Sequence, residues 1–165
     1  MQAPQGITVL TTGGTIDKQY FDALSQYQIT DTMVARLLEV ARVKLPCEIV
    51  EVLRKDSLEL NDEDRARLVA AARAARYDRI VITHGTDTMT VSAAALAAVT
   101  GKTIVLVGAL TPARFAESDA AFNLGMAFAA AQLAPAGVYI TMNGTVFAAD
   151  KVVKDRERGA FVSRA

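Results

Sequence analysis

Ile7-Thr8-Val9-Leu10-Thr11-Thr12-Gly13-Gly14-Thr15, near the start of the 165-residue chain, is an apolar run that ends in a paired-glycine turn. This pattern predicts a buried strand over residues 7–10 with a sharp turn at its carboxyl end. Four further apolar runs are expected to form strands, at residues 47–53, 79–83, 103–107 and 137–142. Three of the five runs are nearly continuous in Val, Ile and Leu, which is typical of parallel strands covered on both faces.

Helix-like segments alternate with these strands. Thr30 or Asp31 is expected to cap the first segment, and Asn61, followed by three acidic residues, the second. Two longer segments cover residues 88–99 and 117–133. The last of them has one apolar face, formed by Phe122, Met126, Ala129 and Leu133. We predict that this face packs in the core.

The alternation of strands and helices predicts an α/β fold, a doubly wound three-layer sandwich with a mainly parallel sheet and right-handed crossovers. No linker, internal repeat or low-complexity tract interrupts the pattern. Residues 1–165 are therefore expected to form a single domain. After Met142 the pattern weakens to short apolar islands, which favour a hairpin or a C-terminal strand.

Composition and charge argue against several classes of function. The 18 basic and 18 acidic residues cancel, so binding to nucleic acid is not expected. No apolar stretch approaches the length of a membrane span, and no positive side chain precedes the first strand as it does in a signal peptide. We therefore expect no membrane association and a cytoplasmic location. The single cysteine, Cys47, begins an apolar run and is expected to be a buried hydrophobic residue.

Polar residues stand at the carboxyl ends of the predicted strands, where open α/β sheets bind ligands. Most are hydroxyls and small residues, so neither a metal ion nor a cofactor is expected. The dinucleotide fingerprint and the G-x-S-x-G serine elbow are absent. The single histidine, His84, is interpreted as structural. By itself, the Gly13-Gly14 pair is compatible with a structural bend or with an anion cradle.

Two segments taken together are more informative than either glycine turn alone. Thr12-Gly13-Gly14-Thr15-Ile16 and His84-Gly85-Thr86-Asp87-Thr88-Met89 resemble the two signature motifs of the bacterial-type asparaginase/glutaminase family. Further agreement at residues 107–109, 119–124 and 142–146 extends the resemblance from residue 7 to about residue 154. The resemblance implies the N-terminal domain of the asparaginase fold. It also implies an amidohydrolase that converts L-asparagine to L-aspartate and ammonia.

Catalytic roles follow from the resemblance position by position. It implies that Thr15 is the acylated nucleophile and that Lys154 and Asp87 orient Thr86, which serves as a proton relay or second nucleophile. Either threonine could be acylated first, and Thr15 is favoured. Thr86, Asp87 and Thr88 are also ordinary helix caps, so capping and catalysis are expected to coexist there.

The resemblance also implies a mobile loop and a substrate pocket. Tyr27 matches the tyrosine of the mobile active-site loop, with Tyr20 as a rival, and this loop is expected to act as a lid. Ser57 is expected to hold the α-carboxylate and Asp87 the α-ammonium group. Leu58 replaces a glutamine of the family, whose role Asp56 could take over. The expected substrate-binding residues are Gly14, Asp56, Ser57, Gly85 and Ala109.

The sequence runs to Ala165, and the smaller C-terminal domain of longer family members is expected to be missing. In those enzymes the second domain of a neighbouring subunit completes the site, so self-association as a dimer or tetramer is expected here. The expected partner is a small amino-acid amide. Two alternatives remain open: a hydrolase of another small amide or lactam, and a non-catalytic amino-acid binding module.

Overall fold

The computed structural model describes residues 5–165 and contains a six-stranded central sheet with two separate hairpins. The strands are β1 (Ile7–Gly13), β2 (Lys18–Phe21), β3 (Gln26–Ile29), β4 (Cys47–Lys55), β5 (Arg79–Thr83), β6 (Thr103–Val107), β7 (Gly137–Met142), β8 (Thr145–Ala148), β9 (Val152–Asp155) and β10 (Ala160–Ser163). The helices are α1 (Val34–Val40), α2 (Asp62–Ala74), α3 (Met89–Leu96) and α4 (Ala120–Leu133). All five predicted strands are present, with β1 and β4 extended at their carboxyl ends.

The sheet has the order β4-β1-β5-β6-β7-β8, with β8 antiparallel to β7 and the other neighbours parallel. Strand β1 pairs with β4 on one side and with β5 on the other. The order in which the chain adds strands to the sheet therefore changes direction between β1 and β5. Helices α1 and α4 pack on one face, and α2 and α3 on the other. This arrangement confirms the predicted doubly wound three-layer fold.

Two regions outside the parallel strands were only partly anticipated. The expected tyrosine loop is a two-stranded hairpin, β2–β3, in which Tyr20 lies opposite Tyr27. Beyond Met142, β8 folds back on β7, and β9–β10 forms a second hairpin. Val152 and Phe161 anchor this second hairpin in the core cluster of α2 and α3. Strand β8 therefore extends the sheet at one edge. The segment that carries Lys154 contacts the sheet at the carboxyl ends of its strands.

The predicted inner face of α4 is wrong. Phe122 is 64% exposed and Leu133 is 85% exposed, whereas Ala127 and Ala131 face the sheet. Asn123 is also buried, and its amide donates a hydrogen bond of 2.9 Å to the Gly108 carbonyl. Because α4 contains no charged residue, hydrophobic periodicity could not distinguish its faces. The buried face combines several alanines with Leu124 and Phe128.

Several predicted helix ends also move. Helix α1 begins at Val34, and its first turn is capped by the distant Asp17 carboxylate, which accepts the Met33 N–H at 2.9 Å. Thr88 makes no cap hydrogen bond in α3 and instead donates to the Ser57 carbonyl at 2.7 Å. Cys47 is only partly buried, and burial raises the pKa of its thiol. No helix within residues 5–165 is both long enough and apolar enough to cross a membrane.

Candidate active site

The turn after β1 places Thr15 through two unusual glycines. Gly14 has φ 86° and ψ −177°, a conformation essentially restricted to glycine, and its N–H donates to the Lys55 carbonyl at 3.1 Å. A Cβ atom on Gly14 would lie 2.5 Å from the Gly85 nitrogen. The backbones that follow β1 and β5 are therefore in contact. Thr15 directly follows Gly14 and Thr86 directly follows Gly85, so the two threonines flank this contact.

The loop after β4 is fixed to the same turn. A Cβ atom on Gly85 would lie 2.7 Å from Ser57 Oγ, so a side chain at Gly85 is excluded. Thr88 donates from its N–H to Ser57 Oγ at 3.3 Å and from its hydroxyl to the Ser57 carbonyl at 2.7 Å. Ser57 itself is 2% exposed. Three neighbouring strand ends thus form one rigid rim.

Lys154 completes the most distinctive cluster of this rim. From β9, its ammonium group donates to Thr86 Oγ1 at 2.8 Å and to Asp87 Oδ1 at 2.9 Å. Thr86 is only 8% exposed, and the Lys154 side chain only 19%. Arg156 lies 3.7 Å from the same Asp87 oxygen, a contact that no sequence motif indicated. The structure therefore brings together the three predicted catalytic partners of Thr15.

His84 belongs to the support of this rim. It is fully buried, with Nδ1 2.6 Å from the Gly85 carbonyl and Nε2 2.7 Å from Ser92 Oγ. Because a carbonyl can only accept, Nδ1 carries the proton and Nε2 accepts from the serine hydroxyl. Burial lowers the His84 pKa to about 4, so the ring is neutral at pH 7. These contacts support the structural interpretation of this histidine.

Asp17, which the sequence analysis did not identify, holds the other side of the Thr15 turn. It is 1% exposed, and Oδ1 accepts from Met33 N–H at 2.9 Å and Thr32 Oγ1 at 3.3 Å. Burial raises its pKa to about 6. Arg114 donates to the Asp17 carbonyl at 3.3 Å. One buried carboxyl group therefore ties the turn to the start of α1.

The two candidate tyrosines lie side by side rather than apart. Their ring centroids are 5.1 Å apart on one face of the β2–β3 hairpin, and the Tyr27 ring lies 6.1 Å from that of Phe115. Both tyrosines are about half exposed. Tyr27, together with Asp56 and Lys18, lines a groove of about 530 Å³ between the hairpin and β4. Tyr20 is not among the residues that line this groove.

Asp56 and Ala109 have specific surroundings. Asp56 accepts the Leu58 N–H at 3.1 Å and pairs with Lys18 at 2.9 Å. Burial acts to raise the Asp56 pKa, but these donors outweigh it and hold the pKa below its usual value. Ala109 is 1% exposed and packs with Ile16 beneath the Thr15 turn, so its side chain does not line an open site. Among residues 5–165, no group of three His, Cys, Asp or Glu residues could hold a metal ion.

Comparisons with known proteins show the family of this chain. Residues 6–164 match the family described as Asparaginase, N-terminal. The chain is 35% identical over 159 residues to a probable periplasmic L-asparaginase of Haemophilus influenzae, covering 90% of this chain and 46% of that protein. It is 33% identical over 150 residues to a glutamyl-tRNA(Gln) amidotransferase component from Methanococcus vannielii, covering 86% of this chain and 35% of that protein.

The L-asparaginase structure from Thermococcus kodakarensis superposes with a TM-score of 0.81 at 30% identity, over 96% of this chain and 51% of that one. The chain thus spans about half or less of the length of these curated relatives. The family match nevertheless includes both glycine turns and the strand that carries Lys154. From the match of its sequence and from its fold, the chain belongs to the asparaginase family and corresponds to the N-terminal domain of its longer members.

Proposed function

We propose that this chain is an amidohydrolase that converts L-asparagine to L-aspartate and ammonia, with Thr15 as the nucleophile. The observation that carries the proposal is the contact of the Lys154 ammonium group with Thr86 Oγ1, at 2.8 Å. This cluster stands where the Gly14 and Gly85 backbones meet. The Thr15 hydroxyl needs a neighbouring group that accepts its proton. In this proposal that group is the Thr86 hydroxyl, which Lys154 orients.

In the proposed reaction, Thr15 Oγ forms a bond to the amide carbon. Its proton passes through Thr86, which Lys154 and Asp87 orient, to the departing nitrogen. The carbon–nitrogen bond breaks and ammonia leaves. N–H groups of the two glycine turns stabilise the oxyanion. Water then attacks the threonyl ester, which releases the carboxylic acid and restores the Thr15 hydroxyl.

Substrate orientation in this proposal uses the rest of the rim. The Ser57 oxygen accepts from Thr88, so its own proton is available to donate to the α-carboxylate. Lys154 and Arg156 both contact Asp87 through Oδ1, and we assign Oδ2 to the α-ammonium group. Backbone groups of Gly14 and Gly85 complete the pocket. Asp56 is assigned to its outer edge.

Asparagine is the proposed substrate, with weak or no activity on glutamine. The relatives include an amidotransferase component as well as an asparaginase, so both amides belong in the assay. One methylene group changes binding in a pocket by about 1–3 kcal/mol. A preference for asparagine is therefore expected to be a difference of degree.

We further propose that residues 1–165 act as one domain, in the cytoplasm, and self-associate as a dimer or tetramer. The uncharged helix α4 supports self-association, because Phe122 and Leu133 are exposed and two copies would meet there without charge repulsion. Light scattering of wild type and Phe122→Asp tests this surface. A dissociated variant with a folded circular dichroism spectrum is expected. A wild-type monomer at all concentrations would contradict the proposal.

Ammonia release from asparagine, glutamine and other small amides tests the function. Thr15→Ala is expected to abolish turnover without unfolding the protein, and Thr100→Ala, at an exposed position, is the matched control. Near wild-type activity in folded Thr15→Ala would rule out this nucleophile. Release only from other amides or lactams would favour the second hydrolase. Thermal stabilisation by aspartate without any release would favour a binding module.

A further inference from the structure

We propose that Lys18 is a positioning residue, whose ion pair with Asp56 holds the β2–β3 hairpin against the loop that follows β4. Lys18 Nζ lies 2.9 Å from Asp56 Oδ2. Lys18 opens β2, three positions after Thr15, and Asp56 directly precedes Ser57. The pair therefore crosses from the nucleophile turn to the loop assigned to the substrate carboxylate. The catalytic part of this inference rests on the proposed function, and the structural part does not.

The Asp56 side of the pair is rigid. Asp56 Oδ1 accepts the Leu58 N–H at 3.1 Å and fixes the turn that contains Ser57. Two hydrogen bonds then join that turn to Thr88. A cation that binds Asp56 is therefore attached to the fixed rim of the sheet.

The Lys18 side is the hairpin, which has few other attachments beyond its base. Most of its side chains from Gln19 to Tyr27 are exposed, and its strands pair only with each other within the described residues. The Tyr27–Phe115 ring contact is one attachment, at 6.1 Å between centroids. The base is secured by Asp17, below Lys18. Lys18 pairs with Ile29 at this same end, so the ion pair is a second attachment close to the base and acts on the direction in which the two strands leave it.

The ion pair spans a groove between the β2–β3 hairpin and the loop that follows β4. One wall of the 530 Å³ groove is formed by Lys18 and Tyr27 of the hairpin, and the other by Asp56 and Leu58. Lys18 and Asp56 bridge the walls with side chains that are 26% and 30% exposed. Their separation sets the width of the groove and the position of Tyr27.

A second ion pair lies nearby but does not reach the hairpin. Arg54 lies 2.8 Å from Asp31, a residue beyond the end of β3. The Asp31 side chain is 88% exposed, so water competes strongly for this contact. Within residues 5–165, Lys18–Asp56 is the ion pair that includes a residue of the hairpin strands themselves.

Lys18→Met keeps the length of the side chain and removes its charge, and Lys18→Arg restores the charge. Arg36→Met is the matched control, since it removes a cation and the exposed Arg36–Glu39 pair on α1. Hydrogen exchange of residues 19–28 is measured on the free protein. Exchange in Lys18→Met is expected to be about two- to five-fold faster than in wild type, which is the range for an exposed pair.

Kinetics with asparagine provide the second measurement. If the hairpin must close for substrate to bind, KM rises as the closed population falls, by less than the exchange factor while the closed form predominates, with kcat little changed. Lys18→Arg is expected to restore both quantities. Added salt should accelerate hairpin exchange in wild type and have little effect on Lys18→Met.

Unchanged hairpin exchange in Lys18→Met would overturn the proposal, as would equal acceleration in Arg36→Met. A fall in kcat without a rise in KM would also contradict the positioning role. If no amide releases ammonia but hairpin exchange still responds to Lys18→Met and recovers in Lys18→Arg, the proposed function fails while the ion pair keeps its structural role.

Discussion

The rim formed by the ends of β1, β4 and β5 and the neighbouring β2–β3 hairpin position residues of the same candidate site in different ways. On the rim, Thr86 and Ser57 are buried and held by hydrogen bonds from Lys154 and Thr88. On the hairpin, Tyr27 is 52% exposed and has an aromatic neighbour. The hairpin contributes little buried apolar surface that could hold it in one place.

This difference suggests that the rim fixes the reacting groups and that the hairpin controls access to them. Groups that must meet within hydrogen-bond distance lie on buried strand ends, where packing fixes them. The hairpin, which we propose to open for substrate, has few buried contacts, so its local opening should require little free energy. Substitutions on the rim should therefore change stability or chemistry strongly. Substitutions on the hairpin should change access and leave the fold intact.

The largest expected effect comes from Lys154→Met on the rim. The variant removes the donor to Thr86 Oγ1 and one of the two cations beside Asp87. We expect kcat/KM for asparagine to fall about 10²–10⁴-fold, the range for lost proton transfer, because the proton passes through Thr86 and Lys154 orients that hydroxyl. Lys151→Met, at an exposed position of the same segment, is the control and should retain activity. Comparable activity in the two variants would remove Lys154 from the mechanism.

Gly14→Ala tests the rigidity of the rim. Its Cβ atom would lie 2.5 Å from the Gly85 nitrogen, and its φ of 86° is unfavourable for alanine. We expect the free energy of unfolding to fall by about 2–5 kcal/mol, measured by denaturant titration. Gly159→Ala has a positive φ of 59° and no neighbour within 4 Å, so it tests a milder backbone strain without the clash. It should lose only about 1 kcal/mol, and equal losses would argue against close contact between the two turns.

Asp17 joins the two regions, and its effect appears as a pH dependence. Its pKa of about 6 lies above the unfolded value, so its contribution to stability is complete below pH 4 and is lost as pH rises towards 6. His84, with a pKa of about 4, acts in the opposite direction over pH 4–6.5. The two contributions largely offset each other in the wild type.

Asp17→Asn should therefore uncover the histidine contribution. We expect the stability of this variant to increase more steeply than that of wild type from pH 4 to 6.5, by on the order of 2 kcal/mol over the interval. Denaturant titrations at several pH values measure the difference. Parallel curves for the two proteins would show that Asp17 does not titrate in this range.

The smallest expected effect is on the hairpin. Tyr27→Phe should change the free energy of unfolding by less than about 0.5 kcal/mol, because the ring is half exposed. Its kcat/KM should nevertheless fall roughly ten-fold through the lost hydroxyl contact. Tyr20→Phe makes the same chemical change on the opposite strand. A larger loss of activity in that variant would reverse the choice between the two tyrosines.

The parallel core was readily predictable from the sequence. Residues 79–83 and 103–107 are compact apolar runs, and the strands have those bounds. The β2–β3 hairpin escaped prediction because Lys18–Phe21 and Gln26–Ile29 are largely polar and outside the core. The predicted face of α4 was wrong because an uncharged helix carries no amphipathic signal, and the burial of Asn123 depends on its hydrogen bond to the distant Gly108 carbonyl.

The candidate site divides in the same way. Thr86 and Asp87 follow a strand and could be located from the motif, and their contact with Lys154 was expected from the family resemblance. Asp17 and Lys18 could not be found, because their roles depend on partners in distant segments, such as Asp56. A charged residue in a polar loop has no sequence signal that separates a buried or bridging role from a solvated one.

Lys154 follows Thr86 by 68 positions, and the two side chains meet only when β9 docks beside the end of β5. A chain leaving the ribosome presents both threonines long before the amine that orients one of them. Parallel strand pairs and contacts of this span form slowly, because loop closure precedes the stabilising contacts. Collapse of the sheet would thus precede assembly of the cluster. Activity regained on refolding would report the completed native structure, whereas helix content would return earlier.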